Sequence, residues 1–151
     1  MNRIFIIPLI LLSLAACKSD SDSPGEAVKW HSYAEGTKLG EKEGKKVFIS
    51  FYADWCTFCA KMEKETFSSP EVVELLNKRF IPVKVNQDKE GDIARKHFVK
   101  GLPMSWFTEP GGEKISSLPG YIPPEIFLQI LNYIDSNSYK DMTFKEYVDN
   151  R

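Results

Sequence analysis

Cys56 and Cys59, two cysteines separated by two residues, are the side chains of this sequence best able to do chemistry. They directly follow an apolar run over residues 47–52, which is typical of a strand buried on both faces, and they open a predicted helix. The unsatisfied N–H groups and the positive dipole end at a helix start favour the thiolate of Cys56. Because the thiolate is the attacking species, Cys56 is the predicted nucleophile and Cys59, almost one turn further on, is the predicted resolving thiol.

Two other uses of a C-x-x-C pair are open on spacing alone, namely half of a zinc site and an ordinary structural disulfide. A structural zinc site needs four ligands, whereas His31 and His97 stand far apart in the sequence and Cys17 has a different predicted role. The position between a strand and a helix favours redox chemistry over both alternatives. We therefore expect no metal, and no cofactor beyond the Cys56–Cys59 disulfide itself.

The N-terminus has the pattern of an export signal. Arg3 is followed by an apolar stretch over residues 4–14, which is shorter than the roughly 20 residues needed to cross a bilayer. The sequence Leu-Ala-Ala-Cys ending at Cys17 resembles the bacterial lipobox, which implies removal of residues 1–16 and lipidation of Cys17. Polar residues up to position 26 then form a predicted flexible tether. The alternative is a plain signal peptide in which Cys17 is incidental.

The composition argues against one class of partner. The chain has 151 residues and a formal charge of −1, and its lysines and glutamates are interspersed. No basic face would neutralise a row of phosphates, so we expect no nucleic-acid partner. The length allows one domain, which we expect over residues 27–138, followed by a C-terminal tail over residues 139–151 with room for a short helix.

Hydrophobic periodicity predicts the elements that position the cysteines. After the first strand and its helix, Ser69 and Pro70 begin a second helix, and alternating apolar residues over 81–85 form a second strand. A helical apolar stripe follows, formed by Ile93, Ala94, His97 and Phe98. Residues 104–108 and 114–118 form a hairpin around a Pro-Gly-Gly turn, with Trp106 and Phe107 in the core. Apolar residues over 126–134 form the last helix. This order predicts an α/β fold with a central mixed sheet flanked by helices on both faces.

Residues 51–59, Phe-Tyr-Ala-Asp-Trp-Cys-Thr-Phe-Cys, resemble the active-site segment of the thioredoxin superfamily. They are most similar to the C-terminal thioredoxin-like domain of the bacterial membrane thiol–disulfide interchange reductase. The likeness continues over roughly residues 28–134, through Glu63, 66–67, 69–72, 101–103 and 111–112. It implies the thioredoxin fold and thiol–disulfide oxidoreductase activity.

The resemblance also implies roles for residues around the cleft. The peptide bond before Pro103 is expected to be cis, with the ring against the two cysteines and the backbone of Leu102 pairing with an extended segment of the partner. The alternative is a trans proline at the start of an edge strand. Position alone, apart from the resemblance, suggests that Trp55, which flanks the nucleophile, shapes the docking surface; the alternative is an aromatic residue that simply packs beside the core strand. Phe58 adds apolar surface between the cysteines.

Glu63 and Ser50 concern the proton of the resolving thiol. Glu63 lies four residues after Cys59 on the same predicted helix face, where a carboxylate could accept that proton; the alternative is a solvated surface glutamate. Members of the resembled family usually carry a buried Asp at the position of Ser50. A serine cannot serve as a carboxylate base, so Glu63, water or the partner must take its place.

The direction of electron flow does not follow from the fold. The resemblance favours a reductase that passes electrons to disulfide-containing envelope proteins and draws them from a membrane electron carrier. The lipid anchor would hold it at an envelope membrane, facing the periplasm or the exterior. A disulfide-forming oxidant is one alternative, because small differences around the sulfurs decide the reduction potential. A non-catalytic binding module is the other.

Overall fold

The computed structural model describes residues 26–151, so the predicted signal peptide, Cys17 and the tether up to residue 25 lie outside the described residues. The elements follow one another in chain order as α1 (Tyr33–Glu43), β1 (Lys46–Tyr52), α2 (Thr57–Glu65), α3 (Pro70–Arg79), β2 (Phe80–Asn86), α4 (Gly91–Lys96), β3 (Met104–Thr108), β4 (Lys114–Pro119), α5 (Pro124–Asp135), a 3₁₀ turn (Ser138–Lys140) and α6 (Phe144–Asp149).

The strands form one mixed sheet in the order β2–β1–β3–β4. β1 runs parallel to β2, and the β3–β4 hairpin adds two antiparallel pairings. The parallel pair requires a crossover connection, which α2 and α3 provide. Because helices cover both faces of the sheet, the predicted α/β class with a mixed sheet flanked on both sides is confirmed.

Alternation along the strands divides the apolar side chains between two cores. Val47 and Phe51 pack with α1 and α4, whereas Phe48 packs with α3 and α5 on the opposite face. The predicted core residues Trp106 and Phe107 divide in the same way between the two cores, and both are buried. This two-sided burial explains the nearly continuous apolar run of β1.

α1 is a helix that the periodicity did not predict. It begins with a capping box in which Ser32 and Glu35 satisfy each other's backbone N–H groups. Its contact face consists largely of glycines, because a Cβ on Gly36 would lie 2.1 Å from Val83 Cγ2 and one on Gly40 would lie 2.5 Å from a Val47 methyl carbon. The missing side chains let the helix lie directly on β1 and β2.

The predicted apolar stripe of α4 is wrong at Phe98. The helix ends at Lys96, His97 caps it, and Phe98 turns into the left-handed region with φ 54°, leaving its ring 78% exposed. His97 is buried as expected, packed edge-on against Tyr33 and Trp106, with Nδ1 2.9 Å from the Ile93 carbonyl oxygen. The chain must reverse here to reach β3, which is why the helical spacing does not continue.

The C-terminal segment packs on α5 through aromatic rings. Tyr133 contacts the rings of Tyr139, Phe144 and Tyr147, and Tyr139 donates a hydrogen bond to Glu109 in the β3–β4 connection. α6 therefore extends the fold beyond its last sheet-covering helix. Between residues 26 and 151, no helix combines the length and apolarity required to cross a membrane.

Candidate active site

Cys56 and Cys59 lie where β1 delivers the chain to the start of α2. Cys56 is the N-cap of α2, and its Sγ accepts a hydrogen bond from the Cys59 backbone N–H at 3.1 Å. The two residues are joined by a disulfide with Cα atoms 5.2 Å apart, within the usual range for such a bond. A cysteine sulfur in the N-cap position accepts a hydrogen bond from a backbone N–H of the first helical turn that has no partner within the helix. This environment favours the thiolate of that cysteine once the disulfide is reduced.

The turn between β1 and α2 fixes the first cysteine. The Cys56 N–H donates to the Ala53 carbonyl at 3.1 Å, and both cysteines pack with Ala53, Tyr52 and Leu102 in a small buried cluster. Both cysteine residues are less than one-tenth exposed. The disulfide thus faces a narrow opening, which restricts access to partners able to enter it.

Pro103 forms the opposite wall of that opening. The Leu102–Pro103 peptide bond is cis, as the resemblance implies, and the Pro103 carbonyl accepts a hydrogen bond from Gly120 at 2.8 Å. Pro103 lines a cleft of about 200 Å³ together with both cysteines. Leu102 packs against the cysteine cluster, so the segment that precedes β3 borders the disulfide directly.

Three polar residues lie on the inner side of this cleft. Ser50 on β1 is paired in register with Lys84 on β2, and both point to the sheet face that carries α2. Lys84 Nζ is 2.7 Å from Glu63 Oε2 and also lies over the Tyr52 ring at 4.9 Å. The carboxylate of Glu63 is therefore held by a cation beside the cleft that contains Cys59.

The outer rim is aromatic and tied to the end of β2. Trp55 is 68% exposed, and its Nε1 donates to Asp88 Oδ2 at 2.8 Å. The buried Asn86 donates to Asp54 at 3.2 Å and accepts from the Asp88 N–H at 3.0 Å. This network fixes the indole beside Cys56, whereas Phe58, 58% exposed, makes none of these contacts.

The structure brings the predicted site residues of the described range into one region. The cleft is lined by Cys56, Cys59, Glu63 and Pro103, and Leu102 borders it, with Trp55 next to the first cysteine. Cys17 lies outside the described residues. Sequence reasoning missed Lys84 and Asp88. Lys84 could have been found as the charged residue between Val83 and Val85, on the face of β2 opposite to the alternating apolar residues.

The arrangement suits exchange between two sulfurs and a partner disulfide or dithiol. A reduced Cys56 would attack from the helix start, and Cys59 can return because the pair already lies at disulfide distance. No group of three or more His, Cys, Asp or Glu side chains within residues 26–151 is arranged to hold a metal ion.

The sheet order, together with a disulfide between a strand and a helix, is typical of thioredoxin-fold thiol–disulfide oxidoreductases. The chain belongs to the thioredoxin-like domain family, whose model matches residues 33–135. Among solved structures, a thioredoxin from Thermus thermophilus superposes with a TM-score of 0.66 at 28% identity, covering 72% of this chain and 88% of that one. The C-terminal domain of DsbD from Neisseria meningitidis shares the fold, with a TM-score of 0.56 at 24% identity, covering 66% of this chain and 90% of that domain.

Curated relatives agree with this assignment. The thiol:disulfide interchange protein DsbD of Actinobacillus pleuropneumoniae is 34% identical over 102 residues, covering 64% of this chain and 18% of the relative. The protein of the same name from Haemophilus ducreyi is 35% identical over 101 residues, covering 63% of this chain and 18% of the relative. The chain thus spans about a fifth of the length of these relatives, and the similarity supports thiol–disulfide exchange as its chemistry.

Proposed function

We propose that this chain is an envelope reductase that delivers electrons to disulfides of exported proteins through Cys56 and Cys59. The observation that carries the exchange chemistry is the hydrogen bond from the Cys59 N–H to the Cys56 sulfur at the N-cap of α2, and the reducing direction is our inference from the resemblance. A thiolate held in that way is available near neutral pH, because the helix start favours its charge. The similarity to interchange proteins supports the same chemistry.

The proposed reaction balances two electrons and two protons. The Cys56 thiolate attacks one sulfur of the client disulfide, which forms a mixed disulfide and releases the other client sulfur as a thiolate. Cys59 then loses its proton and attacks the Cys56 sulfur. This second step re-forms the Cys56–Cys59 disulfide and releases the client dithiol, so the client is reduced and the chain is oxidised.

Glu63 is the proposed acceptor of the Cys59 proton. It lies on the cleft wall four residues after Cys59, and Lys84 holds its carboxylate through a 2.7 Å contact. A general base must be within reach of the proton directly or through one water, and the cleft of about 200 Å³ has room for that water. Ser50, on the same cleft, supplies a hydroxyl but no carboxylate.

Client binding is proposed to use the rim of the cleft. Trp55 offers an exposed ring whose orientation Asp88 fixes, and Leu102 with Pro103 forms the facing wall. An extended client segment lying between these walls would place its disulfide over Cys56. Rigid apolar walls favour this because they lose little side-chain entropy on binding.

The envelope location is part of the proposal. Cys17 would carry the lipid and the tether would hold the domain near the membrane surface, since its roughly nine polar residues span at most about 30 Å. In an oxidising compartment a reductase needs resupply, and we propose an integral-membrane electron carrier as the donor. Its partners are therefore a membrane dithiol on one side and disulfide-containing proteins on the other.

The equilibrium reduction potential of Cys56–Cys59, measured in a soluble chain beginning at Ser19, tests the direction of electron flow. A potential well below the value of about −180 mV typical of disulfide isomerases is the expected result for a reductase. A value near −120 mV would instead assign the chain to disulfide-forming oxidants. A pair that does not cycle would leave only a binding role.

Trapping the intermediate tests the two cysteine roles. A Cys59→Ala variant should accumulate mixed disulfides through Cys56, because the resolving thiol is missing. Mass spectrometry of the trapped peptides identifies the attached residue. Labelling found chiefly on a residue other than Cys56 would contradict the assignment of the nucleophile.

A further inference from the structure

Phe98 places a large aromatic ring where the fold needs only a chain reversal, which the Val99 N–H closes by donating to the Ala94 carbonyl at 3.0 Å. Its backbone adopts φ 54°, a conformation that a bulky residue rarely takes, and its ring is 78% exposed, the highest exposure among the large apolar side chains of residues 26–151. The neighbours on both sides, His97 and Val99, pack into the core with Phe51 and Trp106. The chain therefore holds Phe98 outward on a rigid support. A strained and exposed aromatic residue of this kind points to a contact outside the fold.

The surface around Phe98 is basic. Lys96 and Lys100 are exposed on either side of it, and neither forms an ion pair with any residue of the described range. The nearby Arg95 is paired with Asp92. The surface next to Phe98 thus offers two free cations, which favour an acidic partner.

The same segment leads directly to the redox cleft. Phe98 is four residues from Leu102, which packs on the cysteine cluster, so their Cα atoms are at most about 14 Å apart. An extended peptide advances about 3.3 Å per residue. A client segment that runs from the cleft alongside residues 98–102 can therefore reach Phe98 with a residue about four positions from its reacting cysteine.

We propose that Phe98, Lys96 and Lys100 form a second docking site, which selects clients that carry an apolar side chain flanked by acidic residues about four positions from the disulfide cysteine. The proposal rests on the proposed function, since it concerns the clients of the same cleft. A membrane surface is the less favoured occupant of this site, because a bilayer in contact with Phe98 would lie across the opening that clients must enter.

Two matched peptides test this selection. One peptide carries Glu-Leu-Glu four residues from a cysteine, and the other carries Ser-Gly-Ser at the same place. The disulfide-linked form of each peptide is the substrate for kinetics. A form of each peptide with Ser in place of Cys is used for equilibrium binding. Wild type should favour the first peptide about tenfold in Kd and KM, which corresponds to partial burial of one aromatic ring. Phe98→Gly should lose most of this preference and keep only the part due to Lys96 and Lys100, whereas Ile126→Ala, a change at an exposed apolar residue of α5, should keep it in full.

Charge reversal gives an independent test. The Lys96→Glu/Lys100→Glu double variant should favour a Lys-Leu-Lys peptide over the Glu-Leu-Glu peptide. Equal binding of the two original peptides by wild type, or an unchanged preference in Phe98→Gly, would overturn the proposal. A third outcome would also overturn the proposal: Phe98→Gly no longer binds vesicles that contain anionic phospholipid but keeps the peptide preference. That outcome would indicate a membrane contact.

Reduction of a small aromatic disulfide separates this proposal from the proposed function. The small disulfide does not reach Phe98, so Phe98→Gly should reduce it at the wild-type rate. A wild-type chain that reduces no disulfide refutes the proposed function, while the binding preference, measured with peptides that lack cysteine, still decides the docking site.

Discussion

Replacing Glu63 with Gln tests whether the carboxylate beside the cleft accepts the proton that Cys59 must lose. The change keeps the shape of the side chain and removes its charge and basicity. Glu63 lies on the cleft wall with its side chain 49% exposed, and its partner Lys84 is 25% exposed. An ion pair this accessible to water contributes at most about 1 kcal/mol to the free energy of unfolding, so the variant should fold normally.

The expected effect on the resolving step is about a tenfold slowing near pH 7. Positioned general bases contribute roughly 10²–10⁴-fold, and a half-exposed carboxylate falls below that range because water can partly replace it. The unpaired Lys84 would act in the opposite direction, since its charge favours a Cys59 thiolate. A net slowing therefore shows that loss of the base outweighs the freed cation.

The rate is measured by preparing the mixed disulfide between Cys56 and a chromophoric thiol and following its release by stopped flow. The difference between wild type and Glu63→Gln should shrink above about pH 8.5, where a thiol of ordinary pKa ionises without a base. Glu65→Gln, the same change on the same helix, serves as the matched control. Equal rates for wild type and Glu63→Gln near pH 7, or a slowing that is the same at all pH values, would refute the reasoning.

Three further predictions concern stability. Phe98→Gly should raise the free energy of unfolding by about 0.5–1 kcal/mol, since glycine relieves the left-handed backbone at φ 54° but loses some of that gain to chain entropy. Gly36→Ala should lower it by about 1–3 kcal/mol, because the new Cβ would lie 2.1 Å from Val83 Cγ2. Burial lowers the pKa of His97, so the unfolded chain binds a proton that the native state excludes. Wild type should therefore lose more stability than His97→Phe as the pH falls below about 6.5.

Urea unfolding measures all three effects, and each has a control. Phe98→Ala removes the ring but keeps the strained backbone, so it should show no gain; an equal gain would mean that exposure of the ring, not strain, is responsible. Gly111→Ala meets no atom within 4 Å and should be nearly neutral. For His97, wild type and variant are compared at about pH 7.5 and about pH 5, and a parallel loss in both would contradict the assignment.

The sequence predicts those elements whose burial depends on apolar side chains. β1 and β2 were recognisable because their apolar residues must face two cores. α1 was missed because it packs through Gly36 and Gly40. A periodicity search looks for apolar side chains and does not detect a helix whose contact face has none. The capping box at Ser32 and Glu35 was the signal that could have revealed it.

The candidate site divides in a similar way. Cys56 and Cys59 carry their chemistry in their spacing, and the cis bond at Pro103 followed from the resemblance and not from the residues. The contact between Lys84 and Glu63 could not be predicted, because it depends on the register of β1 against β2 and on where α2 crosses them. A sequence pattern determines which face a strand residue takes but not which helix residue lies above it.

The serine at position 50 changes where proton transfer takes place in the proposed mechanism. Ser50 is buried and paired in register with Lys84, so a carboxylate at this position would lie inside the sheet face and take that lysine as its partner. With serine there, Lys84 extends to Glu63 on α2, whose carboxylate keeps contact with water. A half-exposed carboxylate avoids most of the desolvation cost of a buried one and exchanges its proton directly with solvent. The resolving step should therefore respond to external pH more directly than it would with a base enclosed beneath the cysteines.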